Sequence, residues 1–158
     1  LNQYPNLVVL RTFSKAFAIP ALRLGYLIAR EEFINELLKI RGPYDVNMAA
    51  LVAARALLQD SQSWQELVSH LMGESKPALE QFLKERGVRF YPAEANFLLV
   101  EPKGGATAAV RYLKEQGILV RPMRPPLEHC FRMNLRKMED MQHFFKVFGD
   151  HISSTCAG

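Results

Sequence analysis

The chain has 158 residues, of which 49% are hydrophobic and 23% charged, a balance typical of a protein that buries a core. Charged residues or prolines break every apolar run well before the ~18 residues of a membrane-spanning helix, and no basic segment precedes an apolar one as in a secretory signal. The two cysteines, Cys130 and Cys156, lack CxxC spacing, so the sequence predicts no disulfide scaffold and no metal site and favours the reducing cytoplasm.

The basic residues are spread singly along the chain. Lys and Arg outnumber Asp and Glu by 20 to 16, which gives a net charge of +4. No zinc-finger or RNA-recognition pattern accompanies them, and we predict neither a nucleic-acid partner nor a membrane partner. Prolines and apolar residues separate the clearest basic cluster, which favours arginines that each bind a discrete anion; solvated surface arginines are the alternative. The cluster consists of Arg121, Arg124, Arg132, Arg136 and Lys137.

The first part of the chain predicts two strands and two helices. Apolar runs of strand length lie at residues 7–10 and 24–29. An amphipathic helix is predicted over residues 31–40, and the Gly-Pro pair at 42–43 ends it. An Ala/Leu-rich helix then runs to about Leu58, with Asp45 or Asn47 as its N-cap.

The second part alternates helices and strands. A long helix is predicted from an N-cap at Ser61 or Ser63 to residue 86, with a kink near Gly73 and Pro77. The elements expected after it are strands at 88–91 and 95–100, a helix at 107–116, strands at 118–121 and 130–135, a helix at 137–148, and a disordered tail at 153–158. This order predicts a sheet layered with helices.

The elements predicted in the first part of the chain do not account for a stable fold. They include only two strands, and two strands with apolar faces do not make a stable sheet alone. The sequence also begins at Leu1 without a methionine. We therefore expect the chain to be a portion of a larger protein.

A lysine, two hydroxyls and an arginine follow the first predicted strand. We expect Lys15 to be buried there, and a buried amine is more readily neutral and able to attack a carbonyl group. The hydroxyls of Thr12 and Ser14 lie on one face of a segment that we expect to be extended. Arg23 can return to the same place and bind a phosphate with its forked guanidinium. These groups predict a pocket for a phosphorylated aldehyde such as pyridoxal phosphate; the alternative is solvent-exposed side chains.

The segment from Thr12 to Tyr26 reads TFSKAFAIPALRLGY. It resembles the cofactor-lysine segment of the class I and II (fold type I) pyridoxal-phosphate aminotransferases and is most similar to that of the histidinol-phosphate aminotransferases. The resemblance continues to about Phe148. It implies that Lys15 is the catalytic residue that binds pyridoxal 5'-phosphate, with Thr12, Ser14 and Arg23 around the phosphate group.

Four more residues match segments that bind substrate in this family. Tyr44 lies in RGPYDVN and Asn96 in EANFLLV; the alternatives are a packing residue and a residue that satisfies backbone groups at a strand start. The resemblance implies that Arg121, in GILVR, contacts a substrate phosphate, although Arg124 is a nearby competitor. It also implies that Arg132, in FRMNL, binds a carboxylate or an equivalent anionic group.

Two positions depart from the family pattern. Ile19 and Pro20 stand where the family has a small, Gly-rich stretch, although Pro is tolerated in a first helical turn. Arg136 replaces a glycine that follows the strand of Arg132, which alters the turn if a positive φ is needed there. The second departure leaves the identity of the substrate open.

The resemblance implies an α/β fold, the C-terminal portion of a fold type I PLP-dependent transferase. Residues 1–62 would close the large PLP-binding α/β domain, residues 63–150 would form a bridging helix and the small α+β domain, and residues 151–158 would be a tail. The intact enzyme would be a homodimer that uses a small-molecule amino donor and a 2-oxo acid. The remaining cofactor contacts of the family lie upstream of this segment, so we expect this chain to be inactive alone.

Three functions stay open at this level. The first is histidinol-phosphate:2-oxoglutarate transamination in histidine biosynthesis. The second is the activity of an aromatic aminotransferase or a phospho-amino-acid decarboxylase of the same family. The third is a non-catalytic module that binds anions or a partner, although such a module has no physical need for Lys15 and Arg23.

Overall fold

A computed structural model describes residues 3–156 of the chain. The chain divides into two compact units between Leu67 and Val68; we call them unit 1 and unit 2 and describe each by itself. Among the described residues, no helix combines the length and the apolar composition that crossing a lipid bilayer requires.

Unit 1 consists of a two-stranded antiparallel ribbon followed by helices. Its elements are β1 (Val9–Thr12), a short 3-10 helix (Pro20–Leu22), β2 (Gly25–Ile28), α1 (Glu31–Ile40), α2 (Met48–Gln59) and the start of α3 (Ser61–His70). β1 begins two residues later than predicted because Leu7 N donates to Tyr4 O (3.1 Å), which holds Leu7 in a turn. The predicted bounds of α1 are confirmed.

Polar side chains begin the two helices that follow α1. Of the two predicted candidates, Asn47 caps α2 and Asp45 does not; Asn47 Oδ1 accepts a hydrogen bond from Ala50 N (2.8 Å). Asp60, rather than either predicted serine, precedes α3, and its Oδ2 accepts from Ser63 Oγ (2.7 Å). Hydrogen bonds from the hydroxyl and the backbone N–H of Ser63 hold the pKa of Asp60 below its ordinary value. A carboxylate is the stronger acceptor at a helix N-terminus, where the backbone N–H groups lack partners.

The core of unit 1 is small. Phe13, Leu24, Ala50 and Ala54 are its buried hydrophobic residues, and Phe17 packs against them. The ring of Phe17 lies 4.6 Å from that of Phe13 and 4.6 Å from that of Trp64, measured between centroids. Helix α1 contains no buried residue, so the apolar face that its periodicity indicates is open to solvent in this chain.

Unit 2 contains a four-stranded antiparallel sheet and three helices. The strands are β3 (Arg89–Tyr91), β4 (Phe97–Glu101), β5 (Arg121–Pro122) and β6 (Phe131–Asn134), and their order in the sheet is β3-β4-β6-β5. The helices are α4 (Lys76–Glu85), α5 (Ala106–Glu115) and α6 (Met138–Cys156).

The predicted kink between residues 73 and 77 is a π-helical turn. It spans Leu71–Ser75, and Lys76 N donates to Leu71 O, five residues earlier. Pro77 lies in the first turn of α4 and has no N–H to give to the carbonyl of Gly73. The missing donor explains why the helix widens at this point rather than continuing regularly.

Two sequence predictions for unit 2 are wrong. Residues 118–120 are not in a strand, because β5 begins at Arg121 and Ile118 N donates to Leu113 O (2.8 Å) at the end of α5 instead of to a strand. The tail at 153–158 is not disordered over its first residues, since α6 continues to Cys156. The hydroxyls of Ser153 and Thr155 donate to backbone carbonyls within this helix, and Ile152 packs against the core of unit 2. The last two residues of that prediction lie outside the described residues.

The core of unit 2 forms between the sheet and the helices. Leu98 and Val100 of β4, with Phe131 and Met133 of β6, are buried and alternate along their strands with more exposed residues. On the helical side, α6 contributes Met141, Phe144, Val147 and Phe148 to the same cluster. The other face of the sheet carries polar side chains, among them Arg121 and Arg132.

Candidate active site

The chain turns sharply at the end of β1, where the sequence places its cofactor-binding groups. Ser14 N donates to Thr12 Oγ1 (3.0 Å), and Thr12 Oγ1 in turn donates to Leu24 O (3.5 Å). This hydroxyl-to-backbone bond closes a local turn. The expectation of an extended segment through Ser14 is therefore wrong, because the side chain of Thr12 bends the backbone directly after it.

The backbone ladder still brings Arg23 to the same end of the ribbon. Thr12 is opposite Gly25, and Phe13 N donates to Leu24 O (3.1 Å) one residue beyond the strands. Ser14 lies two residues after β1 and Arg23 two residues before β2, so both flank the same end of the ribbon as Thr12. Two hydroxyls with a guanidinium are donors that suit a phosphate group.

Lys15 is exposed in this structure, contrary to the expectation of burial. Its backbone carbonyl accepts from Ala18 N (3.0 Å), so the residue stands in a turn rather than in a strand. Phe13 before it is buried and Phe17 after it packs against the core of unit 1, but the side chain of Lys15 is not part of that packing. A two-stranded ribbon has too few neighbours to cover the lysine that follows it.

Two residues of the loop adopt the left-handed backbone conformation that favours glycine. Ala18 has φ +56°, and Arg23 has φ +55°. Arg23 ends the short 3-10 helix, and its Nη1 donates to Pro20 O (2.8 Å). Pro20 occupies the first turn of that helix, so the departure from the Gly-rich pattern is tolerated as predicted. Such strain persists only where surrounding contacts hold it in place.

Asn47 supplies one of those contacts, and the sequence analysis missed this role. Besides capping α2, its Nδ2 donates to Leu22 O (3.0 Å), the carbonyl just before Arg23. The close approach of β1 to β2 at Gly25 is a second constraint on the loop, because a Cβ at this position would meet Arg11 O at 2.7 Å. No local pattern signals the first contact, since Asn47 and Leu22 are 25 residues apart.

Tyr44 lies apart from this group. It is 93% exposed in the turn before α2, where Arg41 Nε and Asp45 Oδ2 are 3.2 Å apart. This ion pair closes the turn, and the tyrosine ring packs against no core residue of unit 1. The alternative of a packing residue therefore has no support in unit 1.

Unit 2 brings its two predicted substrate arginines together. Arg121 of β5 and Arg132 of β6 are directly opposite in the antiparallel register. Side chains at such positions lie on one face with Cβ atoms about 4.5–5.5 Å apart, and like charges there repel unless an anion lies between them. Nε of Arg132 is buried without a hydrogen-bond partner, and its guanidinium carbon lies 4.9 Å from the centre of the Phe97 ring.

Both arginines line a groove of about 840 Å³ beside the edge strand β5. Arg136 and His143 line it as well, whereas Arg124, the competitor of Arg121, does not. Arg136 is not one of the described residues with a positive φ. An arginine in place of the family's glycine therefore does not strain the turn. Its Nε is 3.1 Å from Asp140 Oδ2.

Asn96 stands just before β4, where its carbonyl accepts from Leu135 N (2.8 Å). This bond extends the ladder of β4 and β6 by one step beyond the pair of Phe97 and Asn134. The contact involves the main chain of Asn96, which any residue could supply, so both readings of its side chain stay predictions. Arg132 is three steps along the same ladder, opposite Leu99.

Comparison with known proteins gives one consistent result. The family model described as aminotransferase class I and II matches residues 1–148. Histidinol-phosphate aminotransferase 2 of Hydrogenovibrio crunogenus is 34% identical over 157 residues, which cover 98% of this chain and 42% of that protein. The chain thus spans about two fifths of the length of this relative.

Two solved structures share the fold. Histidinol-phosphate aminotransferase from Sinorhizobium meliloti, in complex with pyridoxal-5'-phosphate, superposes with a TM-score of 0.76 at 25% identity and covers 95% of this chain and 42% of that one. L-threonine-O-3-phosphate decarboxylase from Porphyromonas gingivalis gives 0.79 at 26% identity, with 94% and 47% covered. The predicted fold class, part of the fold of the PLP-dependent aminotransferases, is confirmed. The match over nearly the whole sequence shows that the chain belongs to the class I and II aminotransferases.

Proposed function

We propose that the enzyme containing this chain transfers the amino group of histidinol phosphate to 2-oxoglutarate, in histidine biosynthesis. The observation that carries the proposal is the pair Arg121 and Arg132, opposite each other at the edge of one groove. Two guanidiniums on one sheet face repel each other unless an anion binds between them, and a phosphate monoester or a carboxylate is such an anion. The similarity to histidinol-phosphate aminotransferases supports the choice of donor.

The residues at the end of β1 fit pyridoxal 5'-phosphate. Thr12, Ser14 and Arg23 offer hydroxyl and guanidinium donors for its phosphate, and Lys15 offers an amine for its aldehyde. When bound, this cofactor supplies the electron sink that makes the Cα proton of an amino donor acidic. Lys15 Nζ would then remove that proton as the general base and return a proton as the general acid.

The arginines of unit 2 would orient the reactants. Arg121 would hold the phosphate of the donor, and Arg132 the carboxylate of the 2-oxo acid, so that the reacting carbon is presented to the base in one direction. Asn96 and Tyr44 are proposed contacts through the family resemblance alone. A homodimer remains a prediction of that same resemblance, and a cytoplasmic location remains a prediction from the two cysteines without disulfide spacing.

Reductive trapping tests the role of Lys15 on this chain directly. The chain is incubated with pyridoxal 5'-phosphate, reduced with borohydride and digested, and the pyridoxylated peptide is identified by mass spectrometry. We expect the Lys15 peptide to be labelled first as the cofactor concentration is raised, and Lys15→Ala to remove that label. Lys39→Ala, at an exposed lysine of α1, is the matched control. Equal labelling of all lysines at every concentration contradicts the assignment.

The donor is tested by kinetics of the active enzyme. Histidinol phosphate should be used with a higher kcat/KM than phenylalanine, and Arg121→Ala should lower kcat/KM for the phosphorylated donor selectively. Loss of one charge-assisted contact predicts about a tenfold to hundredfold effect. An equal loss for both donors would remove Arg121 from phosphate recognition.

A decarboxylase of phosphorylated amino acids is the second candidate. The likeness to L-threonine-O-3-phosphate decarboxylase favours it, because the same pair of arginines would accommodate a donor that carries both a phosphate and a carboxylate. Release of carbon dioxide from O-phosphothreonine, without consumption of 2-oxoglutarate, distinguishes the two activities.

A further inference from the structure

Three side chains with metal-binding atoms meet at the C-terminal end of β4 in unit 2. They are Glu101, His129 and Cys130, and their ligand atoms all lie within 4.8 Å of one another. None of them lines the groove of Arg121 and Arg132. The thiol of Cys130 is fully buried, His129 is exposed, and the side chain of Glu101 is 29% exposed.

The register of the sheet explains why these residues meet. Phe131 is opposite Val100, so the next step of the same ladder places Cys130 opposite Glu101. Directly opposed positions bring the two side chains onto one face of the sheet. His129 is the residue before Cys130, in the turn that leads into β6. The cluster thus joins two strands that are close in space and distant in sequence.

The carboxylate of Glu101 is already oriented by its neighbours. Tyr91 Oη donates to its Oε2 (2.8 Å), and Arg89 Nε lies 3.5 Å from the same oxygen. Both contacts use Oε2, which leaves Oε1 for a metal ion. Hydrogen bonds of this kind to a ligating carboxylate are a regular part of protein metal sites, because they fix the ligand in the required direction.

The charges of the cluster suit a divalent cation. On binding, a thiolate and a carboxylate would together neutralise a divalent ion, and neutral imidazole would add no charge. Thiolate, imidazole and carboxylate are the three ligand types of Zn²⁺.

We propose that Glu101, His129 and Cys130 form a zinc-type metal site, with water as the fourth ligand. A tetrahedral zinc ion needs ligand atoms about 3.3–3.8 Å apart, from bond lengths of about 2.0–2.3 Å. The cluster therefore has to contract by about 1 Å, and the exposed side chain of His129 can turn to achieve this. The same exposure gives the ion a path from solvent. The sequence spacing gave no signal of this site because Glu101 comes from another strand.

Metal binding by the full chain tests the proposal, with Cys156→Ser as the background so that Cys130 is the remaining thiol. After bound metal has been removed with a chelator and Zn²⁺ has been added back, native mass spectrometry should show one Zn²⁺ per chain. Co²⁺ should give thiolate-to-metal charge-transfer absorption together with the intense visible bands of tetrahedral cobalt. The charge-transfer band reports the thiolate ligand, which non-specific binding to surface histidines does not supply, and the visible bands report tetrahedral geometry.

Two variants and one control separate the ligands. Cys130→Ala should abolish the charge-transfer band, and His129→Ala, at an exposed position, should weaken binding at least about tenfold without affecting folding. His143→Ala, at an exposed histidine of α6, is the control and should bind as the parent does. Absence of the charge-transfer band in the parent, or affinity for Zn²⁺ that His129→Ala leaves unchanged, overturns the proposal. Neither result bears on the proposed transamination.

Discussion

The sheet of unit 2 has four strands with one face covered by helices, whereas the described part of unit 1 has a two-stranded ribbon and a core of four buried hydrophobic residues. Among the described residues, every exposed large hydrophobic side chain except Leu119 belongs to unit 1. Both units have helices with an apolar face. In unit 2 those faces are buried, and in unit 1 the face of α1 is open to solvent.

This contrast separates what a pattern predicts from what it leaves open. The periodicity of residues 31–40 predicts a helix and its apolar face, and the helix is present with those bounds. The pattern does not say which surface covers that face. Most helical stability in proteins comes from packing, so the same kind of pattern has different energetic weight in the two units.

The largest expected difference between the units concerns a core phenylalanine. Phe148 is fully buried, with ring centroids 5.2 Å from Phe144 and 5.6 Å from Phe131. Phe148→Ala should lower the free energy of unfolding by about 3–5 kcal/mol, because it removes apolar contacts and leaves a cavity. Urea denaturation followed by circular dichroism measures the change.

Phe33→Ala is the matched substitution in unit 1. The side chain of Phe33 is 44% exposed on α1, so the expected change lies within about 0.5 kcal/mol. Similar losses for Phe33→Ala and Phe148→Ala would mean that the apolar face of α1 is covered in solution, and the contrast between the units would not hold.

A pair of glycines probes backbone packing in the two units. A Cβ at Gly25 would meet the carbonyl oxygen of Arg11 at 2.7 Å, whereas at Gly73 it would meet nothing within 4 Å. Gly25→Ala should therefore destabilise the chain by about 1–3 kcal/mol, since a backbone atom cannot move aside cheaply. Gly73→Ala, in the π-helical turn, should be neutral or stabilising by up to about 1 kcal/mol. Urea denaturation measures the free energy of unfolding of both variants. An unchanged free energy for Gly25→Ala would contradict the close approach of β1 and β2.

The two hydrogen bonds of Asn47 can be separated by two substitutions. Asn47→Ala removes both the cap of α2 and the bond to Leu22 O, and should cost about 0.5–2 kcal/mol. Asn47→Asp keeps the acceptor for Ala50 N and removes only the donor. Hydrogen exchange should then show faster exchange in residues 20–24 for both variants, and in the first turn of α2 for Asn47→Ala alone. Equal exchange of residues 20–24 in the parent and in Asn47→Asp would show that this bond does not hold the loop.

Local signals explain the parts of the structure that the sequence predicts well. Asn47 caps α2 because its side chain reaches the backbone of the first turn. In residues 31–40 the apolar side chains recur with the period of a helix. Arg121 and Arg132 were each identified through a short strand motif. The sequence does not predict that the two arginines are directly opposite each other, since the register of β5 and β6 depends on residues of both strands at once.

Other features depend on contacts between distant residues, and sequence patterns do not carry that information. The exposure of Lys15 follows from how little of unit 1 covers the end of β1. The cluster of Glu101 and Cys130 arises from pairing of β4 with the extension of β6. The turn after Thr12 is a different case, because it follows from a local contact of the Thr12 hydroxyl with Ser14 N that the extended-segment prediction left out.

The smallest expected effect is a pH dependence at the C-terminal end of unit 2. His151 stacks on Tyr112, with centroids 4.9 Å apart, and its Nε2 is buried without a hydrogen-bond partner. Burial lowers the pKa of His151 below its ordinary value of 6.5. The unfolded chain therefore binds a proton more readily than the folded one, so stability should fall as the pH drops below about 6.5 and the loss should end below the lowered pKa.

His151→Phe should flatten this part of the stability profile, because the ring stacking is kept and the titrating group is removed. His143→Gln, at an exposed position of the same helix, is the matched control and should keep the parent's profile. Urea denaturation between pH 5 and pH 8 measures both. A parent whose stability rises as the pH falls through this range would show that a proton on His151 is accommodated in the fold. The closed core of unit 2 would then not extend to the end of α6.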